Sequence, residues 1–317
     1  MLRVRVARRV PVALDVVAFD LVAVDGAALP PFRAGAHVDV LTPCGVTRQY
    51  SLCNPPDETG RYQIAVLREA AGRGGSRSMH DALHEGRELS IGAPRNHFPL
   101  ADDVGASLLL AGGIGITPLL CMAEELSRSG RAFELHYCTR SVARTAFRDR
   151  LLASPFASSV RLHHDDGPED GRLRLDALLG VPRPGTHVYT CGPRGFMDAV
   201  LGTARGAGWA DAQLHCESFS AGPADQAGDR EFEVELARSR RVIRVDAGQT
   251  VVAALAAHGV AVPTSCEQGV CGTCLTRVLE GLPDHRDVYL TPQEQASNDQ
   301  FLPCCSRSKS PRLVLDL

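Results

Sequence analysis

The sequence has no uninterrupted apolar run long enough to cross a bilayer. Its most apolar stretch, Ser107 to Ala123, is broken by Gly112, Gly113, Gly115 and Pro118, whereas a spanning helix needs about 20 consecutive apolar residues. It also lacks a charge excess of one sign: 34 Lys and Arg against 37 Asp and Glu leave a formal net charge of −3. That balance gives no electrostatic case for nucleic acid and points to a small cofactor or a protein partner. The start, M-L-R-V-R-V-A-R-R-V, has no apolar export core and alternates like a strand. No repeat or low-complexity tract is found. These absences predict a soluble cytoplasmic protein, and 317 residues with 44% hydrophobic content predict two or three globular domains.

Three blocks follow one another. Residues 1–102 hold short β-rich runs (V-A-L-D-V-V-A-F-D-L-V-A-V, H-V-D-V-L, Y-Q-I-A-V-L, E-L-S-I) separated by Gly and Pro, the pattern of an antiparallel β-barrel. Residues 103–222 alternate apolar strands with helices, the pattern of a parallel α/β sheet. Residues 223–230 fall in a stretch rich in Gly, Ala, Pro and Asp that reads as a linker. Residues 231–317 carry strands near 231–245, a helix from Thr250 to His258, and all of the clustered cysteines.

Cysteine is plentiful, and its spacing is informative. Cys266, Cys271 and Cys274 stand in S-C-E-Q-G-V-C-G-T-C, with Cys304 far downstream. C-x4-C-x2-C with a distant fourth Cys is the plant-type [2Fe-2S] spacing. Gly269 and Gly272 permit the positive φ angles that turn backbone N–H groups toward anionic sulfur. Structural zinc would show two C-x2-C pairs, and only one is present. Disulfides are disfavoured, because 11 cysteines without an export signal imply a reducing compartment. The scattered Cys44, Cys53, Cys121, Cys138 and Cys216 read as inert thiols. Cys305 leaves the fourth ligand with two candidates, of which the plant-type interval favours Cys304.

The second block places Gly112, Gly113 and Gly115 directly after an apolar strand, with a helix opening near Thr117. Such a turn lets a cofactor approach the backbone and offers a helix N-terminus to phosphate, although tight packing alone also selects glycine there. It does not match G-x-G-x-x-G. A second turn, Cys191-Gly192-Pro193, also joins a strand to a helix, so both should lie at the carboxyl ends of parallel strands, where ligands bind in open α/β sheets. In the first block, Arg48, Tyr50 and Ser51 offer a phosphate partner, a stacking ring and a hydroxyl on one strand, as a flavin would need. Gly74, Gly75 and Ser76 precede a helix whose N–H groups could hold the flavin phosphate. The plain alternatives are an exposed polar strand and a Gly loop with Ser76 as helix cap.

The motifs R-Q-Y-S, G-R-G-G-S, P-R-N-H-F-P-L, G-G-I-G-I-T-P, C-G-P, H-C-E-S-F, the cysteine loop and the terminal C-C-S-R-S-K-S-P-R-L-V-L-D-L together resemble the phthalate dioxygenase reductase family, most of all its vanillate O-demethylase reductase branch. The resemblance covers essentially the whole chain. It implies a flavin barrel, a ferredoxin reductase-like nucleotide domain and an α+β β-grasp ferredoxin domain, with FMN, NADH and a [2Fe-2S] cluster as cofactors. It also implies a separate Rieske-type terminal oxygenase as partner. Carried over by position, it places FMN against Arg48, Gln49, Tyr50, Ser51, Ala65, Val66, Leu67, Arg73, Gly74, Gly75 and Ser76, with Thr117 and Glu217 to Ser220, including Phe219, reaching the flavin from the neighbouring domain. FMN over FAD and NADH over NADPH rest on the resemblance alone; Arg140, Ser141 and Arg144 could hold a 2′-phosphate.

A nicotinamide releases two electrons as hydride and a [2Fe-2S] centre accepts one, so a flavin must stand between them. Ser51 is expected near the flavin N5, with Cys191 and Glu217 shaping the nicotinamide pocket. No acid-base residue is required, and His163 and His164 read as surface polar groups. Two other functions remain open: a reductase for a different acceptor, such as a carnitine-type oxygenase or a cytochrome P450, and a non-catalytic redox sensor.

Overall fold

A computed structural model of the chain describes residues 1–70, 74–102, 105–219 and 228–317. Arg73 and Ser220 lie outside the described residues, as does most of the expected linker. Two compact units are present, Met1–Glu217 and Ser218–Leu317. Among the described residues, no helix is long and apolar enough to cross a membrane.

The first unit begins with strands β1 (Leu2–Ala13), β2 (Val16–Ala23), β3 (Ala36–Leu41), β4 (Thr47–Ser51) and β5 (Tyr62–Leu67), then helix α1 (Gly75–Ala82), β6 (Glu88–Ile91) and the short β7 (Arg95–Asn96). Their antiparallel order is β4-β3-β6-β1-β2-β5, with β7 on β3. A bridge from Leu52 to Ile64 brings the β4 end back to β5 and closes the barrel. The run from Val12 to Val24, which the sequence pattern joins, is in fact two strands. Ala13 pairs with Val16, and Asp15 turns the corner at φ 63, a conformation that Asp tolerates better than most residues. Alternation does the rest: Val4 and Val6 point inward to Phe19, Leu21, Val38, Tyr62, Ile64 and Ile91, each such large side chain worth roughly 1.5–3 kcal/mol when fully buried.

The same unit continues with β8 (Ala106–Gly112), α2 (Ile116–Arg128), β9 (Ala132–Thr139), α3 (Arg148–Leu152), β10 (Val160–His164), α4 (Leu175–Leu179), β11 (Thr186–Cys191), α5 (Arg194–Gly206) and β12 (Leu214–Glu217). The strands are all parallel, in the order β10-β9-β8-β11-β12. Central β8 is apolar and buried on both faces, as a covered parallel strand must be. One of its faces packs on Val188, Val200, Ala204 and Trp209. On the other, Leu109 and Ala111 join Leu119, Leu120 and Tyr189 in a cluster that continues into barrel residues Val16, Ala18, Ala65 and Phe98. The barrel and the parallel sheet thus share one core. His163 and His164 are half-buried rather than loose on the surface: His163 stacks on His136 with ring centroids 5.3 Å apart, and His164 lies 3.1 Å from the Thr145 hydroxyl.

The second unit contains β13 (Phe232–Leu236), β14 (Arg241–Val245), α6 (Val251–Ala257), β15 (Thr276–Glu280), β16 (Pro283–Asp284), α7 (Pro292–Ser297), β17 (Gln300–Phe301), β18 (Arg307–Ser308) and β19 (Arg312–Leu315). A mixed sheet, β14-β13-β19-β15-β17, grips α6 through Val251, Ala254 and Leu255. This is the expected α+β ferredoxin fold. Thr250 caps α6 by accepting the Ala253 N–H at 3.1 Å, which satisfies one of the helix's orphan donors. Arg307, buried, donates to the Arg230 and Asp246 carbonyls at 2.9 and 3.0 Å and so fastens the segment after Cys304 to the strand ends.

Candidate functional site

The two Gly turns of the first unit are held together by their glycines. A Cβ on Gly115 would come within 2.2 Å of the Cys191 carbonyl oxygen, one on Gly192 within 2.9 Å of Gly112 Cα, and one on Gly112 within 2.9 Å of the Phe196 ring. These three positions serve close packing of turn on turn. Gly113 differs: at φ +53 its Cβ position has nothing within 4 Å, so it is the glycine of this turn that leaves space for a ligand. Thr117 is buried, and its hydroxyl donates to the Ile114 carbonyl at 3.1 Å, bracing the start of α2. Pro193 precedes the first turn of α5.

Ser51, Cys191 and Glu217 come together at the strand ends. Cys191 ends β11 and is in register with Glu217, the last residue of β12. The Ser51 hydroxyl, at the end of β4, donates to Glu217 Oε2 at 3.4 Å. Burial pushes the Glu217 carboxyl up to about 8, with the Ser51 hydrogen bond opposing that rise. Burial also raises the Cys191 thiol well above its usual range, reinforced by a charge on Glu217. Ser51 and Cys191 are buried and Glu217 is half-buried, and with these shifts the group is largely uncharged at neutral pH. Such a setting suits hydride exchange and does not require an ionised base.

The remaining flavin candidates divide by face. Along β5, Val66 belongs to the barrel core, while Ala65 and Leu67 point to the core shared with the parallel sheet. Val66 therefore offers only its backbone, and its carbonyl lies 2.8 Å from His80 Nε2. On β4, Arg48, Gln49 and Tyr50 are half-buried and Ser51 is buried. Burial pushes the Tyr50 phenol up, so it remains a neutral ring. Gln49 Nε2 donates to Asp39 at 3.1 Å. The Arg48 side chain lies where a Cβ on Gly75 would meet its Cγ at 3.1 Å and its Nε at 3.2 Å, which sets a guanidinium over the first turn of α1, as a phosphate site requires. Gly74 begins that helix at φ +90 with open space around it. Ser76 is not the cap: its hydroxyl accepts the Glu69 N–H at 3.0 Å. Phe219 is exposed and belongs to the second unit.

In the second unit, Cys266, Cys271, Cys274 and Cys304 are all buried. They meet two by two. Cys266 beside Cys271 draws the Cys271 thiol down, and Cys274 beside Cys304 draws the Cys304 thiol down. Among the described residues no three ligating side chains gather round one point. Two dithiol pairs match two tetrahedral irons better than one ion. The backbone supports the same group: Gln268 N–H reaches Cys266 Sγ at 3.3 Å, and the Gly269 N–H serves Cys304. Gly269 and Gly272 sit at φ +72 and +69. A Cβ on Gly272 would fall 2.2 Å from the Tyr289 ring, so the loop is moulded against that side chain. Thr273, whose hydroxyl is 3.2 Å from Cys271 Sγ, and Tyr289 were not singled out by sequence. Thr273 stands between two ligands and could have been; Tyr289 is in a separate loop with no local signal.

Comparison with known proteins agrees with this geometry. The 2Fe-2S iron-sulfur cluster binding domain family matches residues 234–309. The chain is 54% identical over 306 residues to the vanillate O-demethylase oxidoreductase of Pseudomonas sp. (strain HR199 / DSM 7063), covering 96% of each. It is 43% identical over 321 residues to the carnitine monooxygenase reductase subunit of Escherichia coli (strain K12), covering 100% of this chain and 98% of the relative. A solved structure of phthalate dioxygenase reductase, described as a modular structure for electron transfer from pyridine nucleotides to [2Fe-2S], superimposes with a TM-score of 0.82 at 41% identity, covering 100% of this chain and 98% of that one.

Proposed function

The chain belongs to the phthalate dioxygenase reductase family, and on that premise we propose that it is an NADH-dependent oxidoreductase that passes electrons through FMN to its own [2Fe-2S] cluster and on to a Rieske-type terminal oxygenase acting on vanillate. The observation that carries this reading is the coexistence in one chain of the neutral Ser51-Glu217-Cys191 group and the paired thiols of the second unit.

When bound, the flavin supplies a carrier that accepts hydride and releases electrons singly. This chain's residues orient and shelter it. Arg48 and the first turn of α1 hold a phosphate, and Tyr50 presents a neutral face for stacking. Ser51 supplies a hydroxyl at the ring edge, fixed by its bond to Glu217. Cys191 closes the nicotinamide side with a thiol kept protonated by burial. The open Gly113 turn admits the dinucleotide. Cys266, Cys271, Cys274 and Cys304 would hold the cluster, which takes up electrons one at a time.

NADH is preferred over NADPH. Arg144 is engaged by Asp15 at 3.3 Å, which leaves Arg140 and Ser141 as a weak site for a 2′-phosphate. The vanillate acceptor is preferred over a carnitine-type one because the identity to the vanillate relative is higher, 54% against 43%. The deciding experiment supplies NADH, this protein and, separately, a vanillate and a carnitine oxygenase component, and follows product. Turnover of vanillate alone supports the assignment. Turnover only with the carnitine component would reassign the partner, and no NADH oxidation even with an artificial one-electron acceptor would favour a redox sensor.

A further inference from the structure

Residues 285–290 brace the cluster loop, and one side chain there ties the brace together. The Val288 N–H donates to the Gly269 carbonyl at 3.1 Å, and a Cβ on Gly269 would fall 3.1 and 3.2 Å from Asp287 Cα and Cβ. Asp287 is therefore packed on the turn between Cys266 and Cys271. Its side chain is fully buried. One carboxylate oxygen accepts the Leu290 N–H at 2.8 Å, and the other accepts the Ser306 hydroxyl at 3.3 Å. Ser306 stands two residues after Cys304, and its hydroxyl oxygen in turn accepts the Arg286 N–H at 3.1 Å. Both oxygens of Asp287 accept and neither donates, the pattern of an ionised carboxylate. Its charge has little cover. The Arg286 guanidinium turns away to Asp229 and Asp284, at 2.6 and 2.8 Å. Among the described residues, the basic side chain nearest to pairing with Asp287 is His285, whose Nδ1 is 3.7 Å from it and makes no hydrogen bond.

We propose, resting on the cluster reading of the four thiols, that Asp287 is a positioning residue for the cluster: its carboxylate ties the ligand loop to the segment that carries Cys304, and its buried charge lowers the reduction potential. Reduction adds negative charge to the cluster, so a fixed negative charge beside it disfavours the reduced form. Burial strengthens that repulsion, because water and salt screen a charge inside the protein far less than one on its surface. The Leu290 N–H and the Ser306 hydroxyl hold the carboxylate in place and stand in for the water it has lost.

The test is a redox titration of the cluster in the full-length protein, followed by its visible bands and by the electron paramagnetic resonance of the reduced form. Asp287→Asn keeps the shape and removes the charge, whereas Ser306→Ala removes one hydrogen bond and keeps the charge. Asp287→Asn should raise the reduced-to-oxidised ratio at a fixed potential by roughly tenfold, the scale of one partly screened charge nearby. Ser306→Ala should change it by less than about threefold. An unchanged potential in Asp287→Asn, or an equal shift in Ser306→Ala, would overturn the proposal. If Asp287→Asn does not retain its cluster, Asp287→Glu is titrated in its place: a cluster held at the native potential supports the charged tie, and a lost cluster overturns it in favour of packing alone. Native protein lacking iron and sulfide would instead overturn the cluster reading beneath it.

Discussion

The Ser51 hydroxyl reaches Glu217 across 3.4 Å, from the last residue of a barrel strand to the last residue of a parallel strand. The two sheets thus place one hydrogen-bonded pair where their strands end, and the protonation of Glu217 becomes a property of their joint packing.

Stability should reflect that protonation. The unfolded carboxyl releases its proton near 4.5, whereas the folded one holds it up to about 8. The folded state therefore carries an extra proton between these values, and stability falls as pH rises through that window and levels off above it. Glu217→Gln lacks the ionisation. Denaturant unfolding of the two proteins should diverge from pH 5 to pH 8.5, with native protein losing of the order of 3 kcal/mol or less relative to the variant.

Removing the other partner tests catalysis. Ser51→Ala should fold normally and slow reduction of the bound flavin by NADH about tenfold or more in stopped-flow measurements, the scale of losing one positioned donor. An unchanged rate would remove Ser51 from the site.

The glycines of the first turn should respond unequally. Gly115→Ala drives a Cβ into a carbonyl oxygen and should cost about 3 kcal/mol or more, with loss of NADH oxidation. Gly113→Ala meets no atom and should cost only about 1 kcal/mol, from its left-handed backbone. Thermal melts and a KM for NADH separate the two.

Cluster removal should uncouple the carriers. Cys271→Ser or Cys304→Ser should lose the cluster absorbance while NADH still bleaches the flavin, and transfer to the oxygenase should fall by at least a hundredfold, about 2.7 kcal/mol in barrier terms.

The sequence makes the cluster legible because three of its four ligands lie close together on one loop, and that local pattern points to the distant Cys304. The strand-to-helix turns are legible for the same reason. What each glycine does is not. Gly112, Gly115 and Gly192 are spent on packing, and only the approach of a second turn, distant in sequence, reveals it. The break at Asp15 is hidden because the residues on both sides are equally β-prone, and a single left-handed residue makes the corner. His163 and His164 look like loose polar residues, yet β9 supplies His136 for one to stack on, a parallel pairing that no local window contains. Cys305 is visible as a second thiol, but its place against Gly269 depends on how the loop folds.

The core shared by the barrel and the parallel sheet limits what recombination can achieve. A chimera joined near residue 105 would cut through Val16, Ala18, Ala65, Leu109 and Tyr189, so a foreign nucleotide-binding half would inherit mismatched side chains along the whole seam. A chimera joined at Ser218 passes between the two compact units. The flavin and nucleotide parts must therefore change together.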